Sequence, residues 1–400
     1  MPKRRANGEG NIRKRKDGRW EGRYTVGHDP ETGKAIIKNV LGKTQAEVKE
    51  KLKKAIEENV GIDYGKAKTY TVGTWLEVWM ENYARVRLRP STFKTSQGFL
   101  KNHIKPQIGS IPLADLTSLD LQRFYKHLLD GGRVDRIEAK KKPKGLAPKT
   151  VRNIHQMIGS AYNLAMEQKL VTRNPTQGCA LPKVEHKEMK TLTADQLSAF
   201  FQEARDSGVY ELYYLDLATG LRRGELLGLK WPDIRFENST ICIDHTLLYL
   251  PNKGLFEDDT KTTGSRRVIK APQSAMLALQ AYQAWQTRQR MQLGSAWGDS
   301  PYVFTTLEGQ TMRPDTLTNW FHSFIQRTDL PPIHLHSLRH TNATLQIANG
   351  VPLTTVAGNL GHADSATTTK IYAHAIQSAA AASAQMMDDL LNPMAGKRRP

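Results

Sequence analysis

The sequence predicts an α+β protein of several domains: a small three-stranded sheet plus a helix, then a helical bundle, then a mostly helical domain with a small antiparallel sheet. Three observations lead there. A chain of 400 residues exceeds one ordinary core. Its beginning alternates apolar and polar residues between turn signals, whereas the following stretch repeats apolar residues three and four apart. Strand signals return late in the chain, where Thr240 to His245 reads as a strand and Thr260 to Ile269 as a turn between two more.

Residues 1–63 form the first unit. Ile12-Arg13-Lys14-Arg15-Lys16 leads into Asp17-Gly18, a hairpin turn pair. Trp20 to Val26 alternates as a strand, Asp29 to Gly33 is a second turn, and Ala35 to Leu41 is a third strand. Thr44-Gln45-Ala46-Glu47 has capping-box spacing, and Val48, Leu52, Ala55 and Ile56 then mark one helix face. Ile62 to Lys68 reads as a linker. Residues 69–177 carry the helical pattern. Thr71 caps a helix bearing Val72, Trp75, Leu76, Trp79 and Tyr83, a stripe suited to a core. Arg89-Pro90-Ser91-Thr92 breaks it and starts a second helix with Phe93, Phe99, Leu100 and His103. Thr117 opens a third, closed by Gly131-Gly132, and Arg133 to Lys144 is a charged exposed loop. Thr150 opens a fourth through Val151, Ile154, Ile158, Ala161 and Tyr162, and Asn174-Pro175 stops it. Residues 178–191 mix charges around Pro182 without an apolar period, which reads as an interdomain linker. Residues 192–391 make the third domain, opened by a second capping box at Thr193 to Gln196, and residues 392–400 are a basic tail.

The chain has 58 Lys and Arg against 39 Asp and Glu, a formal charge of +19. Such an excess favours a polyanionic partner through counterion release. Cys179 and Cys242 stand far apart with no CxxC, which argues against a disulfide framework or a cysteine zinc site and fits a reducing compartment. Met1-Pro2-Lys3-Arg4-Arg5 leads into no apolar segment, so no secretory signal is expected, and no apolar run reaches membrane-spanning length.

The chemistry concentrates in the last domain. Thr219-Gly220 ends one helix, and Arg222, Arg223 and Glu225 open the next. A guanidinium binds two phosphate oxygens at once and stays charged at working pH. Glu225 lies three residues from Arg222, close enough to orient it. Lys261 sits in a turn between two strands, with Lys253 and Lys270 as rivals for the same role. His336, Arg339 and His340 share one helical stretch after Pro331-Pro332, and His362 follows Leu360-Gly361. Tyr372 comes ten residues later. A phenol titrates near ten, so it needs cations or a base to attack. Cations also neutralise charge building at phosphorus. A metal site on His336 and His340, with His334 and His362 near in sequence, is the rival reading. It lacks the glutamate of HExxH, and the arginines would repel a cation.

An arginine, a lysine, His-x-x-Arg, a histidine and a tyrosine, in that order, resemble the active-site signature of tyrosine recombinases, the lambda-integrase family. The resemblance covers essentially the whole chain and is strongest in the catalytic third. It implies that Arg222, Lys261, His336, Arg339, His362 and Tyr372 are catalytic, with Tyr372 the nucleophile, and that Glu225 and His340 support them. His336 would bind a phosphate oxygen or take the tyrosine proton. Ser337 stands where the family usually has aspartate. Gly8-Glu9-Gly10-Asn11-Ile12 and Gly18-Arg19-Trp20-Glu21 resemble the arm-DNA-binding domain of conjugative-transposon and phage integrases. A sheet of this kind lies in the major groove, and Arg15, Arg19, Trp20, Arg23 and Tyr24 are the expected contacts. The four-helix order resembles the family's core-binding domain, with Lys94, Lys101, Lys149 and Arg152 facing phosphates.

The resemblance further implies a site-specific DNA recombinase working through a 3′-phosphotyrosine, integrating and excising a conjugative transposon or prophage. No cofactor or metal is expected. The expected partners are double-stranded DNA at core and arm sites, three further copies in a homotetramer on synapsed DNA, and an accessory protein for excision. No membrane is expected, and the place of action is the bacterial cytoplasm, on the nucleoid. Ile376 to Leu391 reads as a helix, which in the family docks on a neighbouring subunit. Two alternatives share features: a type IB topoisomerase and a DNA-binding regulator without catalysis. The basic sheet unit and linker oppose the first, and the full set of catalytic groups opposes the second.

Overall fold

The computed structural model describes residues 10–28, 32–59, 70–135, 143–185, 189–259 and 266–361, with Thr369, Tyr372, Met387 and Leu391. The chain divides into two compact units, Met1–His186 and Lys187–Pro400. The linker reading at Ile62 to Lys68 and most of the helix reading at Ile376 to Leu391 lie outside the described residues.

The first unit begins with strands β1 (Asn11–Lys14), β2 (Trp20–His28) and β3 (Ala35–Gly42), antiparallel in that order, and helix α1 (Gln45–Asn59). The capping box of α1 is offset by one residue. Thr44 Oγ1 accepts from Glu47 N (3.2 Å), while the Glu47 carboxylate accepts from Lys43 N (2.8 Å). Because strand side chains alternate, Gly22, Tyr24 and Val26 share one face. Tyr24 and Val26 are buried on it against Leu52 of α1. Tyr24 is therefore a core residue and not a DNA contact, a correction imposed by the parity of β2. Trp20 is half-buried, while Arg15, Arg19 and Arg23 are exposed. On the free face, Glu21 accepts from Arg13 Nε (2.7 Å) and Asn39 Nδ2 (2.8 Å). Arg15 and Arg23 each lie 3.7 Å from the same carboxylate.

The helical bundle follows. Helix α2 (Val72–Trp79) starts at the capping box of Thr71 and Thr74. It runs through a π turn (Met80–Ala84) into a last short turn (Arg85–Arg87). Helix α3 (Pro90–Phe99) likewise passes through a π turn (Leu100–Ile104) into Lys105–Ile108. Helices α4 (Ser118–Gly131) and α5 (Pro148–Glu167) complete the core. Trp75 is buried and donates from Nε1 to the Ala161 carbonyl (3.0 Å), so the aromatic stripe is core. Helix α5 differs from expectation at both ends. It starts at Pro148, whose fixed φ suits a first turn. It ends well before Asn174-Pro175, because Lys169 turns left-handed (φ 58°) and Leu170 N donates to Ala165 O (2.8 Å). That closure normally falls on glycine, so the sequence carries no mark of it. Lys94, Lys101 and Lys149 are exposed. Arg152 instead donates from Nε to the Pro182 carbonyl (2.8 Å) and fastens the start of the interdomain stretch to the bundle. Its two Nη groups take no part in that bond.

The second unit opens with α6 (Ala194–Asp206), capped by Thr193 and Gln196, then α7 (Tyr210–Thr219) and α8 (Arg223–Gly228). Strands β4 (Ile234–Arg235), β5 (Thr240–Ile243) and β8 (Arg267–Lys270) form one antiparallel sheet. Strands β6 (His245–Leu250) and β7 (Gly254–Asp259) form a separate hairpin. Helices α9 (Gln273–Leu293), α10 (Pro314–Gln326), α11 (Leu335–Ala348) and α12 (Leu353–Leu360) follow. Phe200, Tyr213, Phe321 and Phe324 pack ring against ring at the centre. Among the described residues no helix is long and apolar enough to cross a membrane.

Candidate active site

Helix α7 stops at Gly220, which takes the left-handed conformation (φ 62°) and lets the chain turn into α8. Arg222 is the residue that caps α8. Its Nη1 donates to Glu225 Oε1 (2.6 Å) and its backbone N to Oε2 (3.0 Å). Glu225 thus holds Arg222 at two points. Arg223 turns elsewhere and donates to Thr318 Oγ1 (2.5 Å).

Glu225 has a second arginine that sequence reasoning missed. Arg267, at the start of β8, donates from Nη2 to Oε2 (2.8 Å) and from Nη1 to Oε1 (3.3 Å). The carboxylate is only 2% exposed. Burial opposes its ionisation, but the hydrogen bond and charge of Arg267, helped by Arg222, prevail and hold its pKa below the usual value.

Helix α11 is capped by His334, and Ser337, where the family usually has aspartate, takes part in the cap. Its Oγ accepts from His334 N (3.2 Å) and closes a capping box. One turn in, Arg339 is 2% exposed and donates from Nη1 to the Gly220 carbonyl (2.7 Å) and from Nη2 to the Leu360 carbonyl (2.7 Å). Burial, and then the neighbouring Arg222 charge, push its pKa down to about 10, which leaves it charged at neutral pH. His336 is exposed, yet crowding of its ring, followed by the charges of Arg339 and Arg222, lowers its pKa.

Tyr372 lies in the same place. It is 4% exposed, packed against Ala343, Ile347, Val356 and Leu360. Its hydroxyl shares a 2.8 Å hydrogen bond with His340 Nδ1. The histidine on the tyrosine is therefore His340, not His336, which stacks edge-on against His340 with ring centroids 4.8 Å apart. Burial pushes the phenol up to about 12, and Arg339 opposes this. Lys261 and His362 lie outside the described residues. Of the rivals to Lys261, Lys253 is taken up by the Phe256 ring, 3.9 Å from its centroid, and Lys270 is exposed on β8. No group of three His, Cys, Asp or Glu able to hold a metal occurs among the described residues.

One feature unites the site. The carbonyls of Asn359, Leu360 and Gly361, the end of α12, accept in turn from Arg267 Nε, Arg339 Nη2 and Arg222 Nη2, each at 2.7 Å. A helix C-terminus carries unpaired carbonyls and partial negative charge, so it can gather cations that would otherwise repel. Glu225 is the one carboxylate hydrogen-bonded to these arginines among the described residues. Among the described residues, Arg222, Arg267 and Arg339 thus gather at one helix end, and Arg339 acts on the buried phenol, an arrangement that suits an anionic ester.

Residues 189–378 match the phage integrase family, and residues 71–129 match the N-terminal SAM-like domain of phage integrases. The chain belongs to that family: it is a site-specific tyrosine recombinase. A XerC-like tyrosine recombinase of Caldanaerobacter subterraneus subsp. tengcongensis is 28% identical over 388 residues, covering 92% of this chain and 95% of that protein. The ICEBs1 integrase of Bacillus subtilis is 24% identical over 386 residues, covering 95% of this chain and all (100%) of that protein. The Tn1549 transposon integrase in complex with a circular intermediate DNA shares the fold with a TM-score of 0.65 at 21% identity, over 79% of this chain and 99% of that one.

Proposed function

We propose that this protein cuts and rejoins duplex DNA with Tyr372 as nucleophile, and that by doing so it integrates and excises a mobile element. The observation that carries the reading is the Tyr372 hydroxyl bonded to His340 and within the field of Arg339. With its own proton on Nε2, His340 accepts the phenol hydrogen as the oxygen attacks phosphorus. Arg222, Arg339, His336 and His362 hold the non-bridging oxygens. Lys261 gives a proton to the departing 5′ oxygen, which leaves a 3′-phosphotyrosine and a free 5′-hydroxyl. A 5′-hydroxyl from a partner duplex reverses the step. Each exchange replaces one phosphodiester by another, so the bond energy is kept and no nucleotide cofactor is needed.

Two duplexes exchanging all four strands need four nucleophiles, hence a homotetramer on synapsed DNA. Arm sites suit the β1–β3 sheet, whose exposed Arg15, Arg19 and Arg23 stand on or beside its free face, while half-buried Trp20 has the parity of the opposite, α1-covered face. Phosphates of the core site suit Lys94, Lys101 and Lys149. An accessory protein governs excision, and the setting is the bacterial nucleoid. The test is a nicked duplex carrying the element's end, incubated with protein and EDTA and run on a denaturing gel. A covalent band lost in Tyr372→Phe supports the reading, and one that persists in that variant overturns it.

A further inference from the structure

We propose that Arg267 is a positioning residue for this reaction, the third arginine that fixes the direction of Arg222 and the end of α12 together. The inference rests on the function proposed above and deepens it.

The geometry divides labour among the arginines. Arg222 is 40% exposed and can meet an incoming phosphate, whereas the Arg267 side chain is 8% exposed. Arg267 spends its planar fork on both Glu225 oxygens and its Nε on the Asn359 carbonyl. Arg222 takes the remaining approaches to the same two oxygens, so all four acceptor directions of the carboxylate are used. Without Arg267, the Glu225 carboxylate would be held by Arg222 alone. With Arg267 opposite, Glu225 cannot turn. Arg267 also packs against the backbone of Gly361, the residue that receives Arg222 Nη2 and precedes His362 in the chain. A Cβ at Gly361 would come within 2.9 Å of Arg267 Nη1, so the fit is close on that side as well. One side chain thus joins three elements: α8 through Glu225, α12 through Asn359, and β8, which Lys261 precedes in the chain.

Lysine at this place keeps the charge but loses the fork. The experiment compares full-length wild type, Arg267→Ala, Arg267→Lys, Arg222→Ala and the Arg267→Ala/Arg222→Ala double variant. Each is tested on nicked duplexes whose scissile group is either a phosphodiester or a methylphosphonate, which lacks one anionic oxygen. DNA affinity and thermal melting are measured in parallel. A group displaced by about an ångström costs on the order of 10²-fold in rate. Both Arg267 variants are therefore expected to cleave the diester on the order of 10²-fold more slowly at unchanged DNA affinity. The penalty should shrink on the methylphosphonate, which needs less positive charge. In the double variant, Arg267→Ala should add little to Arg222→Ala.

Equal penalties on both substrates, or multiplying effects in the double variant, would overturn the proposal. So would normal cleavage by Arg267→Ala. Should the alanine variant fail to fold, the lysine variant carries the same comparison. Failure of the parent reading looks different: the wild type itself would then form no Tyr372-dependent adduct on either substrate.

Discussion

Replacing Glu225 by glutamine keeps its shape and removes one acceptor oxygen. The carboxylate takes four contacts: Arg222 N at 3.0 Å, Arg222 Nη1 at 2.6 Å, and Arg267 Nη1 and Nη2 at 3.3 and 2.8 Å. Whichever way the amide turns, its NH2 faces one donor from each arginine. A hydrogen bond to a charged group contributes roughly 1.5–3 kcal/mol. The Arg222 share is discounted because that side chain is 40% exposed and water can replace the partner. Arg267, at 8%, has no such replacement. The expected loss is about 2–4 kcal/mol, or roughly 5–15 °C in Tm for a unit of this size. Strand cleavage should fall on the order of 10²-fold as Arg222 loses its direction. The sign of the pH dependence follows from the lowered pKa of Glu225. Its contribution is fully present above the ordinary glutamate value and is lost as pH falls through the lower folded one. The wild-type and Glu225→Gln melting curves should therefore stand apart at pH 7 and converge in acid. Melting monitored by circular dichroism from neutral to acid pH, with a cleavage gel at pH 7, checks both. A Tm difference that is absent at pH 7, or that stays constant into acid, would refute the reasoning.

Three further outcomes follow from the same structure. Gly361→Ala places a Cβ at φ 64° and against Arg267, so it should cost about 1–2 kcal/mol in thermal melting. Its loss of cleavage should be larger than that stability change implies. Tyr24→Ala removes a core ring from the small sheet unit, at roughly 3–5 kcal/mol, and should expose that unit to limited proteolysis, whereas Arg23→Ala should leave it resistant. His103 and His155 in the bundle have pKa values lowered by burial. The unfolded chain then binds more protons below the ordinary histidine range, so stability should fall as pH drops through and below that range. Melting of His103→Asn, which cannot be protonated, should show a flatter slope there.

Much of the local structure was legible because its causes are local. The capping pairs at Thr71, Thr117 and Thr193 close within three residues, and each begins a helix where the sequence places one. The aromatic stripe of α2 became core for the same reason, since its periodicity is the face it buries. The end of α5 was not legible because a lysine, not a glycine, takes the left-handed turn. The face of Tyr24 was open in the sequence because alternation separates two faces without saying which one a helix will cover.

The site divides in the same way. The pairing of Arg222 with Glu225 spans three residues and is a property of one helix start. The partner of Tyr372 lies 32 residues away, and Arg267 reaches Glu225 across 42 residues and Asn359 across 92. A short motif records which groups the chemistry needs, and it says little about what keeps them from repelling one another. Here that task falls to backbone carbonyls at the end of α12, which any residue type would supply. The requirement therefore leaves almost no side-chain signature beyond Gly361, whose left-handed turn ends the helix where the three carbonyls are needed. Reading that glycine as the stop of a cation-gathering helix, and not only as a neighbour of His362, is the signal by which the third arginine could have been sought.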